Sequence, residues 1–133
     1  MHKVLIINGS PRENGNTSVA VSEVAKTLRN DGIEPLVVRI GSDNIRGCIA
    51  CGYCLKNGKC VFNDKVNELS KIFEEVDGLI VASPVYYASA NATLIATLDR
   101  LFYSSHFDMR FKVGASIAVA RRGGCSSTFD ELN

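Results

Sequence analysis

Val4-Leu5-Ile6-Ile7-Asn8-Gly9-Ser10-Pro11-Arg12-Glu13-Asn14-Gly15-Asn16-Thr17-Ser18 runs from an apolar stretch, through a loop of turn formers, into a helical pattern. Four consecutive apolar residues suit a strand buried on both faces, and Asn8-Gly9-Ser10-Pro11 stops it. Asn16-Thr17-Ser18 offer N-cap chemistry. Val21, Val24, Ala25 and Leu28 then keep helical spacing until Asn30-Asp31-Gly32 ends the helix. A buried strand feeding an amphipathic helix through a short loop is the opening unit of an α/β sheet.

The same alternation continues outward. Glu34 to Ile40 reads as a second strand, and Gly41 to Asn63 as a long loop rich in Gly and Cys. Asp64 is placed to cap a helix that turns Val66, Leu69, Ile72, Phe73 and Val76 inward. Gly78 to Ala82 is a third strand cut by Ser83-Pro84, and Asn91 opens a helix with Ile95, Leu98, Leu101 and Phe102 as its inward stripe. Val113 to Ala120 is a fourth strand, followed by Arg121-Arg122-Gly123-Gly124. The expectation is one α/β domain over residues 1–133, a doubly wound parallel sheet with a Cys-rich insertion at 47–63. Right-handed crossovers then bring the loops after the strands to one edge, where such sheets bind ligands. Only thirteen residues follow the fourth strand. A last helix and a fifth strand are therefore expected to be missing, leaving that strand as a bare edge.

Composition narrows the function classes. Of 133 residues, 46% are hydrophobic and 22% charged, and the net charge is +1 with no dense Lys/Arg run. That balance argues against nucleic acid or anionic membranes as partners. No apolar stretch approaches the ~20 residues that span a bilayer. Met1-His2-Lys3 followed by Val4 to Ile7 is too short for a signal peptide, so a cytoplasmic location is expected.

The first loop has the makings of an anion cradle. Helix N-termini present free N–H groups and partial positive charge. Gly9 and Gly15 permit the backbone of a cradle, Ser10, Asn16, Thr17 and Ser18 can donate hydrogen bonds, and Arg12 can add a charged one. Neither a Gly-Lys-Ser/Thr triphosphate loop nor Gly-x-Gly-x-x-Gly is present. A loop rich in hydroxyls and amides suits a terminal monophosphate such as that of FMN, although the same residues also make an ordinary capped turn.

Two more loops are expected on that edge. Pro84, Val85, Tyr86 and Tyr87 follow the third strand, and their adjacent aromatics can lie beside a flat ring or pack against neighbouring loops or a second subunit. Arg121, Arg122, Gly123 and Gly124 follow the fourth. The glycines allow close backbone approach, and an Arg can stabilise a reduced, anionic ring, unless this is simply a solvated basic turn.

Four of the five cysteines, Cys48, Cys51, Cys54 and Cys60, fall within thirteen residues. With no export signal, thiolate ligation is a better reading than disulfides. The spacing Cys-x2-Cys-x2-Cys-x5-Cys lets successive sulfurs face one centre, with Gly58 turning the chain back to deliver Cys60. An iron–sulfur cluster, a zinc ion and uncoordinated thiols all remain open on spacing alone. His2 and His106 are isolated, and no side chain reads as a dedicated acid or base.

In order along the chain, Gly-Ser-Pro-Arg-x-x-Gly-Asn-Thr (9–17), Ser-Pro-Val-Tyr-Tyr (83–87) and Ala-Arg-Arg-Gly-Gly (120–124) resemble the NADPH-dependent FMN reductase family, whose fold is flavodoxin-like. The Cys-rich loop is similar to that of its iron–sulfur flavoprotein subgroup. The resemblance implies FMN, with its phosphate on Ser10, Arg12, Asn16, Thr17 and Ser18. It implies ring contacts from Pro84, Val85, Tyr86, Tyr87 and the loop of Arg121, Arg122, Gly123 and Gly124. It also implies a [4Fe-4S] cluster on Cys48, Cys51, Cys54 and Cys60, NAD(P)H as co-substrate, and a homodimer or homotetramer. Family chains normally continue for another helix and strand. Two other readings stand beside the reductase: an electron carrier reduced by a ferredoxin-like partner, and a shortened, non-enzymatic flavodoxin-like subunit that acts through assembly.

Overall fold

In the computed structural model, which describes residues 1–133, the opening apolar run forms the middle of strand β1 (Lys3–Asn8). Leu5, Ile6 and Ile7 are wholly buried there. Helix α1 (Asn16–Asn30) and β2 (Glu34–Arg39) follow, then α2 (Tyr53–Asn57), α3 (Lys65–Glu75) and β3 (Gly78–Tyr86). A two-residue strand β4 (Ser89–Ala90), α4 (Ala92–Ser104), β5 (Val113–Val119) and α5 (Cys125–Leu132) complete the chain. The long strands are all parallel, in the order β2-β1-β3-β5, and β4 pairs antiparallel with the end of β3. The doubly wound α/β reading holds. The strand order reverses between β1 and β3, where open α/β sheets bind their ligands.

Successive residues of a strand point to opposite faces, so one strand feeds two cores. Leu5 and Ile7 of β1 join Leu79 and Val81 of β3, Leu69 and Phe73 of α3, and Leu94 and Leu101 of α4 in the larger core. Ile6 and Ala82 meet Val21 and Ala25 of α1 on the other side. Asp64 caps α3 through Oδ1, which accepts the Val66 N–H at 3.1 Å, and Asn91 caps α4 by accepting from Leu94 N–H at 3.2 Å.

Several local expectations need correction. The third strand is not cut at Ser83-Pro84 but runs to Tyr86. The Ala82 carbonyl accepts from Gly9 N–H on the β1 side, and pairing to β1 ends there. Alternation turns Pro84 to that same side, so its missing N–H interrupts no ladder. The residue capping α1 is Gly15, with no side-chain bond, rather than one of Asn16, Thr17 or Ser18.

The buried face of α4 is Leu94, Thr97, Arg100, Leu101 and Ser104, while Phe102 is 47% exposed. The expected stripe missed this phase because three of its members, Thr97, Arg100 and Ser104, are polar and are buried with their hydrogen bonds made. The loop at 41–63 contains the short helix α2. The tail after the last long strand does contain a helix, α5, started by Gly124 at φ +96° and seated through buried Thr128 and through Leu132 against the larger core. The outer edge of β5 has no strand beside it, and Val113 is strongly exposed. No helix is long and apolar enough to cross a membrane.

Candidate functional site

The loop after β1 is built from inside. Asn8, at the end of the strand, is buried. Its Oδ1 accepts the Ser10 N–H at 2.9 Å and its Nδ2 donates to Ser18 Oγ at 3.1 Å. Ser10 Oγ accepts the Arg12 N–H at 3.2 Å, and Ser18 Oγ donates to the Arg12 carbonyl at 3.3 Å. From the end of β2, Arg39 Nη1 donates to the Pro11 carbonyl at 3.2 Å and to Ser42 Oγ at 3.1 Å. With its carbonyls and side chains tied behind, the loop leaves the uncapped first turn of α1 facing outward, a setting that favours an anion.

A cleft of about 550 Å³ opens in front of this turn, within the usual size range of small-molecule sites. Ser10, Arg12, Asn16 and Thr17 line it from the first loop, Pro84, Val85 and Tyr86 from the end of β3, and Arg121 from the loop after β5. Three loops far apart in sequence thus meet at the β1/β3 switch point. The other expected residues stand elsewhere. Ser18 is behind the loop, bonded to Asn8, and Tyr87 is fully exposed at a hairpin tip. Arg122, Gly123 and Gly124 are not among the cleft's lining residues.

That hairpin is held in an uncommon form. Tyr87 and Ala88 have φ of 47° and 58°, the paired left-handed angles of a tight turn that normally calls for Asn or Gly. Helix α5 secures it. Ser127 Oγ donates to the Ala88 carbonyl at 2.6 Å, and Glu131 accepts the Ala90 N–H at 2.8 Å along with the Ser89 hydroxyl. Gly124 is required by both conformation and space, since a Cβ would lie 2.9 Å from Val85 Cγ1 and 3.0 Å from Ala88 Cα. Its part is to seat the hairpin rather than to line the cleft.

The cysteines gather in a second place. Cys48, Cys51, Cys54 and Cys60 line one pocket together with Phe62, Arg100 and Tyr103. Ala50 and Gly52 take left-handed angles between the first cysteines, and Gly58 at φ +68° turns the chain back toward Cys60. Cys48 and Cys51 are exposed, Cys54 is buried and Cys60 is half-buried. Asn67 of α3 fixes Cys60 by its backbone, accepting its N–H at 3.0 Å and donating to its carbonyl at 3.1 Å. No three His, Cys, Asp or Glu side chains converge closely enough to hold a single ion.

Arg100 forms the floor of this pocket and is only 1% exposed. Its Nη1 and Nη2 donate to Asp64 Oδ2 and Oδ1 at 2.7 and 2.8 Å, and Nη1 also donates to the Arg46 carbonyl at 3.2 Å. Its Nε donates to Cys60 Sγ at 3.3 Å, and the Phe62 ring covers its face at 5.1 Å. Burial pushes its pKa down, but the hydrogen bonds to Asp64 and then to Cys60 outweigh that and hold it above the ordinary arginine value. Sequence reasoning missed Asn8, Arg39, Asn67, Arg100 and Glu131: Arg39, Arg100 and Glu131 act through partners distant in the chain, and Asn8 and Asn67 through loop backbone and hydroxyl groups that no apolar pattern marks. The one available signal was Arg100 beside Leu101, on the edge of an otherwise small or apolar helix face.

Residues 2–133 match the family described as NADPH-dependent FMN reductase. The chain is 37% identical to an iron–sulfur flavoprotein of Methanocaldococcus jannaschii, covering 98% of this chain and 69% of that one. It is 41% identical to an iron–sulfur flavoprotein of Archaeoglobus fulgidus, covering 88% of this chain and 54% of the relative. Among solved structures, the apo form of an NADH:FMN oxidoreductase superposes with a TM-score of 0.70 at 25% identity, covering 98% of this chain and 65% of the other. RosB, with a bound riboflavin 5'-phosphate derivative, superposes with a TM-score of 0.78 at 17% identity, covering 99% and 57%, which speaks to the fold alone. The chain thus spans between about half and two thirds of the length of these proteins. A sheet with its cleft at the β1/β3 switch point and a match over nearly every residue agree, and the chain belongs to the NADPH-dependent FMN reductase family.

Proposed function

We propose that this chain is an FMN-dependent oxidoreductase, linked to NAD(P)H, with an iron–sulfur centre on Cys48, Cys51, Cys54 and Cys60. The observation that carries the flavin reading is the convergence of three loops on one cleft in front of the uncapped α1 turn. Ser10, Arg12, Asn16 and Thr17 are the residues to hold the phosphate. Pro84, Val85 and Tyr86 are placed to flank the ring, and Arg121 to meet negative charge on it. When bound, FMN supplies hydride exchange with a nicotinamide and single-electron exchange with an iron–sulfur centre.

For the cysteines, the donor set fits the cluster better than a lone ion. Four sulfurs surround one pocket with no carboxylate or imidazole among its lining residues. A four-iron cluster would take one cysteine on each iron, so its four thiolates stand farther apart than four on a single zinc ion. The relatives named as iron–sulfur flavoproteins support the same choice. The test is to titrate FMN into the flavin-free chain, follow fluorescence quenching, and then measure NADPH and NADH oxidation anaerobically. Saturable one-to-one binding with nicotinamide oxidation is expected, and no quenching at micromolar protein overturns the flavin reading.

A second reading, reduction by a ferredoxin-like protein, is favoured by the surface around the cysteines. Cys48 and Cys51 are exposed, as are Ile49, Leu55 and Val61 nearby, an apolar rim suited to a transient protein donor. Rapid anaerobic reduction by ferredoxin with negligible nicotinamide oxidation would select it. Assembly as a homodimer or homotetramer, and residence in the cytoplasm, complete the proposal.

A further inference from the structure

An arginine buried to 1% exposure must have its charge and its donors answered, and the manner of answering at Arg100 is informative. Asp64 takes both terminal nitrogens in a forked pair, and the Arg46 carbonyl takes another N–H. Those contacts alone would suffice to bury the guanidinium. Yet the remaining edge, Nε–H, is aimed into the cysteine pocket and ends on Cys60 Sγ at 3.3 Å. The geometry is stiff, because the fork to Asp64 fixes the guanidinium plane and the Phe62 ring lies against it. Cys60 is fixed in turn by Asn67. Of the other three cysteines, Cys48 accepts only a backbone N–H, from Ala50 at 3.4 Å. One sulfur in four therefore receives a hydrogen bond from a cationic donor.

We propose that Arg100 tunes the iron–sulfur centre: its Nε–H, held on the Cys60 sulfur, stabilises the reduced state and raises the reduction potential. This rests on the cluster reading above. Each electron added to the centre increases the negative charge on its thiolates, so a charge-assisted donor binds the reduced form more strongly than the oxidised one. Hydrogen bonds of this kind to ligand atoms are an established lever on metal centres. Asp64 moderates the effect by countering most of the arginine charge, which makes Arg100 and Asp64 act in opposite directions on the same centre. The electron comes from reduced flavin in the proposed reaction and from dithionite in the test.

The experiment is an anaerobic, EPR-monitored dithionite titration of the full chain carrying FMN and cluster, with iron counted on the same samples. Arg100→Lys keeps a positive charge for Asp64 but cannot hold the fork and the sulfur bond together. At the wild-type midpoint its ratio of reduced to oxidised centre should fall about tenfold, or ~59 mV for one electron. Asp64→Asn keeps the cap on Val66 and frees the arginine charge, so the ratio should rise. Opposite shifts with iron retained support the proposal, and a merely structural role would not produce them. If Arg100→Lys takes up no iron, Asp64→Asn decides by the same titration. Four irons per chain with potentials unmoved overturn this inference alone, whereas wild-type protein without iron overturns the cluster reading beneath it.

Discussion

Gly41 lies against the backbone of Ser10 so closely that a Cβ at position 41 would stand 2.1 Å from the Ser10 carbonyl carbon. The chain leaving β2 is thus packed onto the back of the loop that faces the cleft, and Arg39 adds its hydrogen bond to the Pro11 carbonyl beside it. A methyl group at 41 has backbone, not a flexible side chain, to displace. Gly41→Ala is expected to cost about 1–3 kcal/mol in stability through overpacking. It should also weaken FMN binding at least tenfold, read by thermal melting and by fluorescence titration. Binding at wild-type strength would mean that the loop does not need this brace.

Asn8 bonds both ends of the same loop, at Ser10 and Ser18. Asn8→Ala leaves the buried Ser10 N–H without its acceptor, a loss of about 1–3 kcal/mol. Weaker FMN binding should accompany it, with any nicotinamide oxidation falling through KM for flavin rather than through kcat. Denaturant unfolding and a flavin titration check the two halves separately.

The Tyr87-Ala88 turn holds two L residues in the left-handed region, and α5 compensates through Ser127 and Glu131. Ala88→Gly removes one such strain, so the protein should gain ~0.5–1 kcal/mol and melt a few degrees higher. Glu131→Ala should move stability the other way by about 1 kcal/mol and loosen the hairpin, seen as faster amide exchange at residues 86–90. An unchanged melting temperature in both variants would contradict the turn as described.

Asp64 is the cap of α3 and the partner of buried Arg100. Asp64→Ala strands that charge and is expected to destabilise by about 3–5 kcal/mol. The double variant Asp64→Ala with Arg100→Met removes the orphan charge and should recover most of the loss. A denaturant double-mutant cycle measures this, and simple additivity would show that the two residues are not energetically coupled.

What was legible in the sequence was local. The β1 run, its loop and α1 could be read because burial, turn chemistry and helical spacing all lie within a few neighbouring residues. Asp64 and Asn91 were readable as caps for the same reason. Arg100 was not, since a buried arginine depends on Asp64, thirty-six residues earlier. Pro84 looked like a strand end because nothing local says which side of the sheet its missing N–H faces. The tail at 125–132 lacks a strong apolar stripe, and its helix is held by hydrogen bonds to a hairpin about forty residues away. Tyr86 and Tyr87 are adjacent in sequence, yet the turn puts Tyr86 in the cleft wall and Tyr87 in solvent, a separation set by backbone angles that the two side chains do not reveal.

Purification of the chain without oxygen, with absorption spectrum, flavin content and iron content measured on one sample, tests both proposed cofactors at once. One FMN and about four irons per chain, with broad cluster absorbance beneath the flavin bands, is the predicted result. A colourless protein that contains no iron and takes up no added FMN would contradict it.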